Sequence, residues 1–124
     1  MPRWEQDERA IGPIVQGFTA GGFSIDGGRY DAALLTPEWV QPWSPPPIGV
    51  LTIDHLEPLL AERRPEFLIL GTGASMAFPP RALLRALEER DIGIEAMDSR
   101  AAARTWGMLR GEGRHIVAAL MPLG

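Results

Sequence analysis

Short apolar runs punctuated by glycine fill residues 14–35, and further along the chain continuous apolar runs alternate with leucines at helical spacing. IVQGFTAGG, FSIDGG and RYDAALL read as strands. Asp26-Gly27-Gly28 predicts a hairpin turn between FSI and RYDAALL, because Asp-Gly tolerates positive φ. Phe67-Leu68-Ile69-Leu70 is an uninterrupted apolar run, as expected of a strand buried on both faces. Ile92–Met97 and HIVAALM predict two more strands.

Between these strands the period changes. Asp54-His55-Leu56-Glu57 predicts a helix capped by Asp54, with Leu56, Leu59 and Leu60 on its buried face and Pro65 at its end. Pro79-Pro80 opens a second helix, with Leu83, Leu84 and Leu87 facing inward and Arg85, Glu88 and Glu89 facing water. Asp98 or Ser99 caps a third, whose buried stripe is Ala102, Trp106 and Leu109. Alternating strands and helices mean βαβ units, hence an α/β fold with a largely parallel or mixed sheet covered by helices. TPEWVQPWSPPP, residues 36–47, is expected to be an extended irregular segment, with Trp39 and Trp43 folded as a lid over a core edge. Residues 1–13 are assigned as a mobile tail and 14–124 as one α/β domain, since no repeat or second domain is visible.

The charge pattern narrows the chemistry. All 12 basic residues are arginine, and cysteine and lysine are absent, which removes thiolate metal sites, cysteine nucleophiles, a Schiff-base lysine and a P-loop lysine. Net charge is −4 and the pI is near 5.1, which argues against general nucleic-acid binding. Up to Glu62 there are three arginines against nine acidic residues, and beyond it nine against seven. An anion-binding face is therefore expected in the second half. No apolar run is long enough for a transmembrane segment, and the acidic N-terminus does not suit a mitochondrial presequence, so a cytoplasmic location is expected.

The motif that most resembles a site is Gly71-Thr72-Gly73-Ala74-Ser75-Met76, between a strand and a helix. It lacks Walker spacing, and Met76 stands where GxGxxG has its third glycine. Gly73-Ala74-Ser75-Met76-Ala77 has a serine followed in the chain by Asp98 and His115, the order of an α/β-hydrolase triad. Against this, Phe78-Pro79-Pro80 delays the helix, Ala77 replaces the crowding-relieving glycine, and His115 opens the last strand. What remains is a ligand pocket for an anion at the strand ends, made by Gly71, Thr72, Gly73, Ser75, Arg81, Asp98, Ser99 and Arg104. The plainer alternative is that Asp98 caps its helix and pairs with one of the arginines, bracing two loops. His55 and His115 have no metal-ligand spacing and read as structural.

LILGTG, FPP-R, GIEAMDS-R-AAARTW and EGR leading into AALMP together resemble one family: a small α/β domain of uncharacterised bacterial and archaeal proteins. That family also includes an adipogenesis-associated protein and a mitochondrial respiratory complex I assembly factor. The resemblance spans roughly residues 14–122. It implies three layers: a central mixed, mostly parallel sheet, helices on one side, and an N-terminal β-hairpin with a helix on the other. Against the family pattern MDT-x-x-AC-R-T-Y-N, Ser99 keeps the hydroxyl, Ala103 replaces the cysteine, and Trp106-Gly107 replace Tyr-Asn. The family implies no established reaction. The resulting expectation is a non-catalytic binding or assembly module that assists assembly of a respiratory or other membrane-protein complex through a protein partner. The alternative is a small-anion binding protein or enzyme with its site at the 71–76 and 97–99 loops. No catalytic residue, metal or cofactor is assigned.

Overall fold

In the computed structural model, which describes residues 12–19 and 21–124, the Phe67–Leu70 run lies inside a five-stranded sheet. The strands are β1 (Val15–Thr19), β2 (Gly22–Ile25), β3 (Gly28–Tyr30), β4 (Ala33–Leu35), β5 (Val40–Pro42), β6 (Phe67–Gly71), β7 (Gly93–Met97) and β8 (Ile116–Leu120). The helices are α1 (Glu57–Leu60), α2 (Arg81–Glu89) and α3 (Ser99–Leu109), with single 3-10 turns at Ile48–Val50 and Ile53–Leu56. β1-β2-β3 form a small antiparallel sheet, and the large sheet runs β5-β4-β8-β6-β7.

The large sheet is mixed, but the expectation that it is mostly parallel needs correcting. β6 pairs parallel with β7 and β8, while β4 pairs antiparallel with β5 and β8. The antiparallel half comes from the N-terminal segment, which enters the sheet beside β8 instead of through a helical crossover.

Side-chain alternation divides the core in two. Ile69, Ala118, Leu120, Ala33 and Leu35 pack with Phe23 and Ile25 of the small sheet and with Ala102, Ala103 and Trp106 of α3. Leu68, Leu70, Val117, Ala119 and Leu34 pack with Leu51, Leu56, Leu59, Leu83 and Leu87 on the other face. The three expected layers are therefore present, with the hairpin and α3 on one side and α1 and α2 on the other.

Several local expectations change. Asp26 (φ 49) and Gly27 (φ 83) make the hairpin turn, as the two positive φ values of a type I′ turn require. RYDAALL, however, is not one strand. Its first part pairs in the small sheet and its second in the large one, because the chain steps between layers at Asp31-Ala32. The proline-rich segment contributes β5, an edge strand, where Pro42 is tolerated because an edge has one unpaired side. Trp39 and Trp43 pack against the core, and Trp43 Nε1 donates to the His55 carbonyl at 3.0 Å. The helix expected to start at Asp54 has Thr52 as its N-cap and begins as a 3-10 turn. His55 Nδ1 accepts from the Thr52 amide at 2.9 Å, reaching back over that first turn. Leu84, expected inside, is exposed.

Trp106 is fully buried, and its Nε1 donates to the Pro13 carbonyl at 2.9 Å. Arg110 donates to the carbonyls of Gly12 and Pro13. Gly12 and Pro13, grouped above with the mobile tail, are thus held against α3. The rest of that segment, residues 1–11, lies outside the described residues.

Candidate functional site

The glycine turn is a joint between β6 and the start of α3. The Thr72 amide donates to Met97 O at 2.8 Å, and the Met121 amide donates to Gly71 O at 3.0 Å. The Ser99 amide donates to Gly73 O at 2.8 Å. The Ser99 hydroxyl, fully buried, accepts from the Gly73 amide at 2.9 Å and donates to Met121 O at 2.8 Å. Gly73 has φ +113, a conformation that only glycine adopts without strain. Asp98 caps α3 by accepting from the Ala101 amide at 2.9 Å.

Of the residues expected to form one pocket, the structure brings together Gly71, Thr72, Gly73, Asp98 and Ser99. The amides of Thr72, Gly73 and Ser99 are already answered within the chain, so they do not form an open cradle for an anion. Ser75 is exposed, and its carbonyl accepts from the Thr72 hydroxyl. Arg81 opens α2 and Arg104 lies on α3, and these helices pack on opposite faces of the large sheet. Both arginines are exposed, and Arg104 lines a cavity of about 230 Å³ against Val15, Gln16, Gly17 and Phe18 of β1. A single site joining both arginines to the glycine turn is not what the structure shows. His115 precedes β8, which runs parallel to β6, so it lies at the opposite end of the sheet from Ser75. The triad geometry is absent.

The turn also carries an apolar loop. Thr72 Oγ1 donates to Ser75 O at 2.8 Å and accepts from the Ala77 amide at 3.0 Å. Pro79 is buried and Pro80 is the N-cap of α2. Between these two anchors Phe78 is 84% exposed, with the exposed Met76 beside it.

At the other edge of the sheet is a feature that sequence reasoning missed. A cavity of about 250 Å³ is lined by Pro37, Arg63, Arg110, Arg114 and His115. Burial pushes the His115 imidazole below its ordinary value, and the Arg63 guanidinium pushes it the same way, against the carboxylates of Glu38 and Glu66. Glu66 is held below the usual carboxylate range, first by its hydrogen bond from Arg114, with Nε to Oε1 at 3.2 Å. A signal for this cleft was present. Arg63 lies shortly before β6 and Arg114-His115 shortly before β8, and parallel neighbours start at the same edge, with Phe67 opposite Ile116.

The family described as "Protein of unknown function (DUF498/DUF598)" matches residues 15–121. The chain is 31% identical over 120 residues to the protein named NADH dehydrogenase (ubiquinone) 1 alpha subcomplex assembly factor 3 of Danio rerio, covering 94% of this chain and 68% of that one. It is 32% identical over 110 residues to an uncharacterized protein of Rhodobacter capsulatus, covering 88% and 84%. Its fold is similar to the crystal structure of a Bordetella parapertussis protein, with TM-score 0.79 and 32% identity over 90% of this chain and 97% of that one.

Proposed function

The chain belongs to the family of proteins of unknown function DUF498/DUF598, and from that premise we propose that it is a non-catalytic binding module that assists assembly of a respiratory or other membrane-protein complex through a protein partner. The similarity to a protein named as a complex assembly factor supports the class of role. The observation that carries the reading in this chain is Phe78, an aromatic side chain left 84% exposed on a loop braced at both ends. Large aromatics fully exposed to water on a held backbone are what partner surfaces use as anchors, because little ordering entropy is lost on binding. In this reading the Gly71, Thr72, Gly73 and Ser99 joint serves to fix the loop. No helix among the described residues is long and apolar enough to cross a membrane. The cytoplasmic location expected from the sequence is kept as part of the proposal.

Affinity capture from native extract of the source cells tests this, comparing the wild-type chain with Phe78→Ala. The expected result is a reproducible subunit or precursor of a membrane-bound complex, lost on the substitution while thermal stability is unchanged. Capture that is indifferent to Phe78→Ala, or that yields no such subunit, rules against the loop as the docking point.

A further inference from the structure

We propose that the cleft between Pro37, Arg63 and the Arg110–His115 turn is a binding site for a phosphate group, with Arg63, Arg114 and His115 as the residues that recognise it. It lies at the amino edge of β6 and β8, away from the Phe78 loop, and does not depend on the protein-partner reading.

Size comes first. About 250 Å³ falls below the roughly 300–1,000 Å³ of sites that enclose drug-sized ligands, and suits a group of a few heavy atoms. Charge comes next. Arg63 lines the cleft and forms no ion pair among the described residues. Arg114 has one carboxylate partner, Glu66, in an exposed pair of the kind that exchanges readily with solvent anions. Arg110 is fixed at the wall by its bonds to Gly12 and Pro13. Guanidinium forks suit the oxygens of a phosphate, and more than one fork favours a dianion over a single carboxylate.

His115 supplies the third part. It is nearly buried, and its main chain is pinned because its carbonyl accepts from the Glu66 amide at 2.9 Å. The charged groups that face it are Arg63, Glu38 and Glu66, with Arg110 and Arg114 across the cleft and Glu62 in a small adjoining cavity. Burial and the Arg63 charge favour the neutral ring. A phosphate dianion beside it favours the imidazolium, so binding and protonation reinforce each other. Gly113, at φ +79, gives the turn that lines the cleft a left-handed backbone that a side chain would strain.

The test is an NMR titration of the His115 ring proton against inorganic phosphate, with chloride at equal ionic strength as the reference. Phosphate is expected to move the His115 titration to higher pH, saturably, where chloride does not. Arg63→Gln should weaken that effect about tenfold or more, the cost of one charged hydrogen bond, and Arg114→Gln should weaken it too. Arg85→Gln, on the exposed face of α2, should leave it unchanged. A second arm with glycerol 3-phosphate separates the sources: equal binding means that the site accepts a phosphate ester, and binding of inorganic phosphate alone means a free-ion site. An equal response to chloride, no saturable response to either phosphate, or full binding by a folded Arg63→Gln chain overturns the proposal.

Discussion

A Cβ placed on Gly71 would lie 2.7 Å from Ser99 Oγ and 2.9 Å from Ser99 Cα, so the last residue of β6 and the first of α3 occupy space that only a glycine leaves free. The Ser99 hydroxyl uses that closeness to bridge Gly73 and Met121. Gly71→Ala is therefore expected to cost about 1–3 kcal/mol as an overpacked contact against backbone. Ser99→Ala should cost about 1–3 kcal/mol by leaving the Gly73 amide and the Met121 carbonyl buried and unanswered. Urea denaturation checks both; wild-type stability in either would mean that the joint relaxes freely.

Trp106 gives the second expectation. Its side chain is fully buried between α3 and the small sheet and bonded to Pro13. Trp106→Ala should lose about 3–5 kcal/mol, as large aromatic truncations do. A loss below about 0.5 kcal/mol, the range of surface changes, would contradict the packing.

Thr72→Val tests the brace under the exposed loop. The hydroxyl lost serves both Ser75 and Ala77, so a cost of about 1 kcal/mol is expected. The more specific measurement is hydrogen exchange, which should speed up at the Ala77 amide and leave β6 amides protected. Unchanged protection at Ala77 would show that the loop is held by other means.

The pH dependence follows from His115. Its folded-state value lies below the ordinary 6.5, so above that pH the ring is neutral in both states and contributes nothing. As pH falls through 6.5 the unfolded chain takes up a proton that the folded chain resists, and stability declines until the folded-state value is passed. His115→Asn should flatten this decline between neutral and mildly acid pH in thermal melts. If the decline persists unchanged, it belongs to other groups. Glu66 acts in the same direction at lower pH: its depressed value gives stability that is present above the ordinary 4.5 and lost as the carboxylate protonates.

The parts of the fold that were legible in the sequence rest on local rules. An apolar run without interruption marked β6 as interior, Asp26-Gly27 marked the hairpin, and the i, i+4 spacing of Ala102 and Trp106 marked the buried face of α3. The same periodicity shows which side of a helix is buried but not which face of the sheet it covers. That depends on strand order. The chain goes from β6 outward to β7, then back past β6 to β8. Parallel crossovers are right-handed, so this reversal puts α2 and α3 on opposite faces and takes Arg81 away from Arg104. The arginine cleft was missed for a related reason. Residues 63 and 110–115 are distant in sequence, and only the pairing of β6 with β8 makes them neighbours.

The position of β8 has a consequence for how the molecule is made. Among the described residues it follows the other seven strands in chain order, yet it sits in the middle of the large sheet, with β4 on one side and β6 on the other. Until Ile116–Leu120 has left the ribosome, β4 with β5 and β6 with β7 are two separate ribbons, each with a raw inner edge. Such pairs are marginal on their own in water. A nascent chain that has not yet made β8 thus carries two sticky open edges, and β8 closes both at once. Folding should be close to all-or-none, and a chain stalled or cut before Ile116 should aggregate or be degraded instead of persisting as a stable fragment.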